Sequence, residues 1–252
     1  MAITIRGAAT ETAWATGAAT QSPTCNFPTG VAKGDILFAH FVTNSAHNAS
    51  NVTSGEWTWT KLQEVDDTGT DSTSSLLWAI APAAPGTSFT FTNVFAATEF
   101  GQGLIIAYSP TDGQQFTGAS ITGSSGVERT VTGPGTASST AFQPTANNSM
   151  IVQFIGCDPG TGTYSATVDT SPTGVERFDA KSAAADSAAY TYIQEYQQTT
   201  AASLALDATM LTTDEYQVIQ VAFREFPTTI IEQRKRPRSL WRPVPTAQTR
   251  RR

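Results

Sequence analysis

The stretch Gly34-Asp35-Ile36-Leu37-Phe38-Ala39-His40-Phe41-Val42-Thr43 decides the fold. From Ile36 to Thr43 every residue except His40 is apolar or β-branched, the composition that suits a strand. Successive side chains on a strand point to opposite faces. Leu37, Ala39 and Phe41 therefore share one face, and Ile36, Phe38, His40 and Val42 share the other. Both faces are largely apolar, so the stretch predicts a central strand covered on each side. The turn signal Pro28-Thr29-Gly30 precedes it.

Outward from this strand the chain reads as short strands and turns. Glu56-Trp57-Thr58-Trp59-Thr60 alternates, with both Trp on one face. Ser75 to Ala81 is a second doubly covered strand, stopped by Pro82-Ala83-Ala84-Pro85-Gly86. Ser88 to Thr92 alternates again, and Leu104 to Tyr108 closes the series. A second series has the same character. Met150 to Ile155 repeats the Ile36–Val42 pattern, Gly174 to Phe178 stands where Gly55 to Trp57 stood, and Tyr190 to Tyr196 echoes Leu76 to Ile80. Ser203 to Asp207 then echoes Ser88 to Thr92, and Tyr216 to Phe223 echoes Leu104 to Tyr108. The strand order thus runs twice, over 34–109 and 148–226, as an internal duplication visible in pattern rather than identity. No long segment has helical periodicity. The expected fold is all-β: a large antiparallel β-sandwich or jelly roll over residues 1–226, both halves sharing one core.

The chain has 252 residues, 39% hydrophobic and 14% charged, enough to bury a core without disulfides or metals. Cys25 and Cys157 are the only cysteines, and their separation leaves the pairing open. No secretory signal is visible, and no apolar run reaches the ~20 residues that a membrane helix needs. The net charge of −6 is unevenly spread: residues 231–252 hold eight basic side chains and one acid, a balance of +7. The other 230 residues hold seven basic and twenty acidic side chains, a balance of −13. Prolines 227, 237, 243 and 245 and the dense charge predict an extended, polyproline-like arm over residues 227–252.

Val31-x-x-Gly34-Asp35-Ile36-Leu37, Gly55-x-Trp57-Thr58, Leu76-x-Trp78-x-Ile80-Ala81, Phe89-Thr90-Phe91, Ser149-Met150-Ile151-Val152 and Pro172-Thr173-Gly174-Val175-Glu176-Arg177 come in a familiar order. Over residues 28–226 they resemble β-sandwich virion proteins of tailed bacteriophages, from which capsid decoration proteins and tail or fibre accessories are drawn. The resemblance implies a structural or binding role in the virion, assembled in the host cytoplasm. The implied partners are the major capsid protein or other virion proteins, and copies of the chain itself. It carries no catalytic residues and no cofactor, and the basic arm is not part of its pattern.

Candidate chemistry is sparse. A Ser-His-acid set needs a reachable histidine; the two present are His40, inside the central strand, and His47, in an Asn/Ser-rich loop. No Gly-x-Ser-x-Gly elbow occurs. Two Cys and two His, scattered, give no zinc spacing. Glu64, Asp66, Asp67 and Asp71 crowd one segment without the spacing of a calcium loop, and Asp158 to Gly162 reads as a turn. No enzyme activity and no metal are expected. Glycan binding is the alternative role, as a module of a tail fibre or bacterial surface protein; its candidate platforms are Trp57 and Trp59, with Trp78 as a third ring. For the arm, Arg234, Lys235, Arg236, Arg238 and Arg242 supply charge and Leu240 and Trp241 apolar anchors for an acidic protein groove. Nucleic acid is the weaker partner, because the acidic body would repel it.

Overall fold

The computed structural model describes residues 3–14, 21–44, 50–66, 72–92, 94–95, 101–157, 163–168, 172–181 and 189–228. All regular structure in them is β. The first half holds β1 (Thr4–Ile5), β2 (Thr10–Trp14), β3 (Thr24–Asn26), β4 (Ile36–Thr43), β5 (Val52–Ser54), β6 (Trp57–Asp66), β7 (Thr73–Ile80), β8 (Ser88–Thr90) and β9 (Gly101–Ser109). After β10 (Gln114–Gln115) the second half holds β11 (Ile121–Val131), β12 (Gly135–Ser138), β13 (Ser149–Cys157), β14 (Ala166–Thr167), β15 (Val175–Lys181), β16 (Tyr190–Gln198), β17 (Asp207–Met210), β18 (Asp214–Phe223) and β19 (Phe226–Pro227).

Strand β4 is central, as its two apolar faces require. It lies between β9 and β7 in a sheet ordered β1-β9-β4-β7-β6-β5, with β2 also on β9, and all eight of its residues are buried. Ile36 and Phe38 face inward, where they meet Val152, Phe154, Val221 and Phe223 of a second large sheet, β11-β18-β13-β16-β15. Leu37, Ala39 and Phe41 face outward, under Cys25 and Phe89 of the small β3-β8 sheet. The second large sheet is covered likewise on its outer face by β12-β17-β14, through Ala137, Ala166, Ala208 and Met210. The molecule is therefore a stack of four β layers: small, large, large, small. The halves share the central core, but each also owns outer packing, one cluster over the first half and two over the second, so the expected single core becomes four.

The duplication is drawn in the hydrogen bonds. The order β9-β4-β7-β6 of the first sheet recurs as β18-β13-β16-β15 in the second, and the β3-β8 pair recurs as β12-β17. Each half also has a bulge at the same point, between Lys61 and Gln63 on β6 and between Glu176 and Phe178 on β15. Register then fixes equivalent residues. His40 stands opposite Leu76 and Leu104, and Phe154 stands opposite Ile193 and Ile219. His40 is thus the counterpart of Phe154, and Val42 of Gly156. These counterparts meet: the His40 and Phe154 rings lie 5.3 Å apart, and a Cβ on Gly156 would come within 2.4 Å of Val42. Like patch packs on like patch, as across a two-fold subunit interface. Because β2 and β11 each pair with the counterpart strands β9 and β18, the repeat begins earlier than its sequence pattern, near residues 10 and 121.

Candidate functional site

Trp57 and Trp59 are not a sugar platform. The alternation of β6 does place them on one face, but that face is the outer one that β3-β8 covers. Trp59 is 0% exposed and Trp57 6%. Their rings stack on each other at 5.5 Å among Phe27, Phe89 and Phe91, and the Trp57 indole N–H donates to the Pro85 carbonyl at 3.2 Å. Both faces of the pair are taken by protein. Trp78, on the inner face, is only half-buried and borders a shallow groove with Thr58 and Thr60.

His40 is a core residue. Its Nε2 lies 2.6 Å from the Ser74 hydroxyl, and both residues are fully buried. A Ser–His pair is one ingredient of nucleophilic catalysis, but Nδ1 has no partner to orient the ring and no path leads to the serine. Burial without a counter-charge holds the imidazole down to about 3, so it is neutral at ordinary pH. Cys25 and Cys157 form no disulfide and are buried in different outer cores. Burial pushes the Cys25 thiol up to about 12.

Of the acidic cluster, Glu64 accepts from Lys61 and Ser75, and Asp66 accepts from Thr73 at 2.8 Å; these carboxylates tie β6 to β7. Asp67, Asp71, His47 and Asp158 to Gly162 lie outside the described residues.

Two buried polar constructions escaped the sequence reading. At the seam between the halves, the Tyr108 hydroxyl donates to Glu195 at 2.8 Å, and Glu195 also pairs with Arg177, the residue set aside by the β15 bulge. Burial first, then the neighbouring carboxylate, raise the Tyr108 phenol well above its ordinary value. In the outer core of the second half, Gln153, Gln194 and Gln220 stand side by side on β13, β16 and β18, each fully buried. Gln194 donates to Gln153 at 2.6 Å and to the Asp207 carbonyl at 2.7 Å. Gln153 donates to the Leu206 carbonyl at 2.6 Å, and Gln220 accepts the Leu206 N–H at 2.8 Å and donates to the Leu204 carbonyl at 3.0 Å. A glutamine near the middle of each of three buried strands was the available signal.

The anchors Arg234, Lys235, Arg236, Arg238, Leu240, Trp241 and Arg242 lie outside the described residues. The root of the arm is described. Phe226–Pro227 pairs with Gln114–Gln115, and the Thr228 N–H donates to the Gly113 carbonyl at 2.8 Å. Beside this root opens a cleft of about 690 Å³, lined by Ile3, Gln114, Asn147, Asn148, Gln197, Thr199, Arg224 and Glu225. Asn148 holds the left-handed conformation at φ +56°, which Asn tolerates better than most residues. Glu225 is spent on Thr111, whose N–H and hydroxyl donate to its two oxygens at 2.7 and 2.5 Å. Arg224 is different. Its guanidinium sits 4.4 Å from the Phe226 ring centre, and its buried Nε–H has no acceptor.

Among the described residues no group of three or more His, Cys, Asp and Glu side chains could hold a metal. Compared with known protein families, curated proteins and solved structures, the chain has no match.

Proposed function

We propose that this chain is a non-enzymatic structural protein of a tailed-bacteriophage virion, a capsid decoration protein fixed to its neighbours by the basic C-terminal arm. One observation carries the reading: a body of −13 joined to a 22-residue end of +7. Such a split favours an acidic partner for the arm and speeds the encounter at long range. The way the body uses its apolar surface agrees. The like faces of the two halves are buried on each other, and among the described residues only Val175 and Leu211 are large exposed hydrophobics. So little exposed apolar surface among the described residues supports attachment through the arm rather than through an apolar patch of the body. The glycan-binding alternative loses Trp57 and Trp59, the two rings on which it rested.

The experiment is mass spectrometry of purified virions with copy counting. Many copies per particle are expected; virions without the chain, or with it at the copy number of a fibre, would overturn decoration.

A further inference from the structure

We infer that the cleft at Arg224 is a carboxylate socket that receives an acidic residue of the same partner that the arm engages. This rests on the arm reading above. Of the seven basic residues in the body, Lys33 is exposed, and Arg6, Lys61 and Arg177 are paired to Asp35, Glu64 and Glu195, Arg177 through its Nη2 and with its own Nε–H unpartnered. Arg129 donates to the Ser138 carbonyl at 2.8 Å, and Lys181 lies over the Tyr164 ring. Arg224 stacks on Phe226 instead, and its buried Nε–H donates to nothing. A buried donor of a charged group left without an acceptor is costly, so the site is built to be completed.

The rest of the cleft says by what. Arg presents a planar fork of donors that matches a carboxylate. Glu225, the acid in the lining, is already engaged by Thr111 and does not quench Arg224. Asn147 uses its side-chain oxygen to accept from Ala201 N–H at 2.7 Å, which leaves its amide N–H₂ as a donor. Gln197 donates to the Ser149 carbonyl at 3.3 Å, and its buried Oε1 is an acceptor without a donor. An orphan cationic donor and an orphan acceptor in one cleft are complementary to an acidic residue of a peptide. Its carboxylate answers Arg224, and its backbone N–H answers Gln197. The place fits as well: β19, which carries the chain into the arm, begins two residues after Arg224. A partner bound along the arm passes this cleft.

The test uses the full-length protein and the Arg224 Nε–H resonance, assigned by its loss in Arg224→Gln. Tetraglutamate is titrated, with inorganic phosphate in parallel. A saturable shift of the Arg224 Nε–H with tetraglutamate is expected; the affinity, followed in both chains at the backbone amide of residue 224, should fall about tenfold or more in Arg224→Lys, which keeps the charge and loses the fork. Arm resonances that move while Arg224 stays still would overturn the socket and leave the arm reading standing. Arg224 moving while the arm stays still would keep the socket and remove the arm's role. Phosphate moving Arg224 where tetraglutamate does not would overturn the carboxylate assignment.

Discussion

The two halves have one topology and two fillings. In the first, the middle of the outer core is Ala39, Leu77 and Ile105, side by side on β4, β7 and β9. The same three places in the second half are Gln153, Gln194 and Gln220. The layer above explains the difference. Over the first half, Phe89 of β8 and the rings of Phe27, Phe91 and Phe95 close the core, and apolar filling suffices. Over the second, the segment from Leu204 to Leu206 crosses outside any named strand, held by an isolated bridge from Leu204 to Phe142 and by the Ser139 N–H on the Leu206 carbonyl, and its remaining buried backbone groups must be paired. Glutamine supplies a donor and an acceptor on one side chain and reaches that backbone. Strand order and bulge position define the fold; the filling follows what lies on top.

Three substitutions test this comparison, in falling order of effect. Phe38 lies at the seam, with ring contacts to Tyr108, Phe154 and Phe223 at 5.0 to 6.3 Å. Phe38→Ala should cost about 3–5 kcal/mol in denaturant melts. A loss under about 1 kcal/mol would mean that the halves are not held together there.

His40 occupies the place that Phe154 fills in the other half. Its folded value of about 3 lies below the ordinary 6.5, so the unfolded chain binds the extra proton between them. Stability from this group is complete above pH 6.5 and falls as pH drops towards 3. The slope is about 1.4 kcal/mol per pH unit within the window. The difference in melting between wild type and His40→Phe, measured from pH 7 to 4.5, should show that slope. A pH-independent difference would mean that His40 takes up its proton without leaving the core.

Gln153→Leu is the sharpest of the three, because it makes the second half resemble the first and should still destabilise. It leaves one N–H of the buried Gln194 amide without its acceptor, at about 1–3 kcal/mol, while the Leu206 carbonyl keeps the Ser139 N–H and hydroxyl. A neutral or stabilising result would show that the glutamine ladder is dispensable.

Much of this fold was legible in the sequence. The two faces of Ile36 to Val42, the repeated strand order and the alternation of Trp57 and Trp59 all survive in the structure. Periodicity shows which residues share a face, but not what covers it, so burial of the two Trp rings decided against the glycan site only once β3-β8 was placed. The cleft was invisible for another reason. Ile3, Gln114, Asn148 and Arg224 are brought together by β10 pairing with β19, a contact of two residues on each side that no pattern announces. Tyr108 and Glu195 likewise meet only because the large sheets stack.

The central functional claim is that the body folds without the arm and attaches through it. The described strands run from Thr4 to Pro227, so deleting residues 232–252 removes none of them. The direct measurement is to purify that truncated chain, confirm that its melting transition is unchanged, and mix it with particles that lack the protein. The account predicts a folded body that no longer binds, while the full chain binds and is released progressively by salt. Binding equal to that of the full chain would contradict it and place attachment on the sandwich.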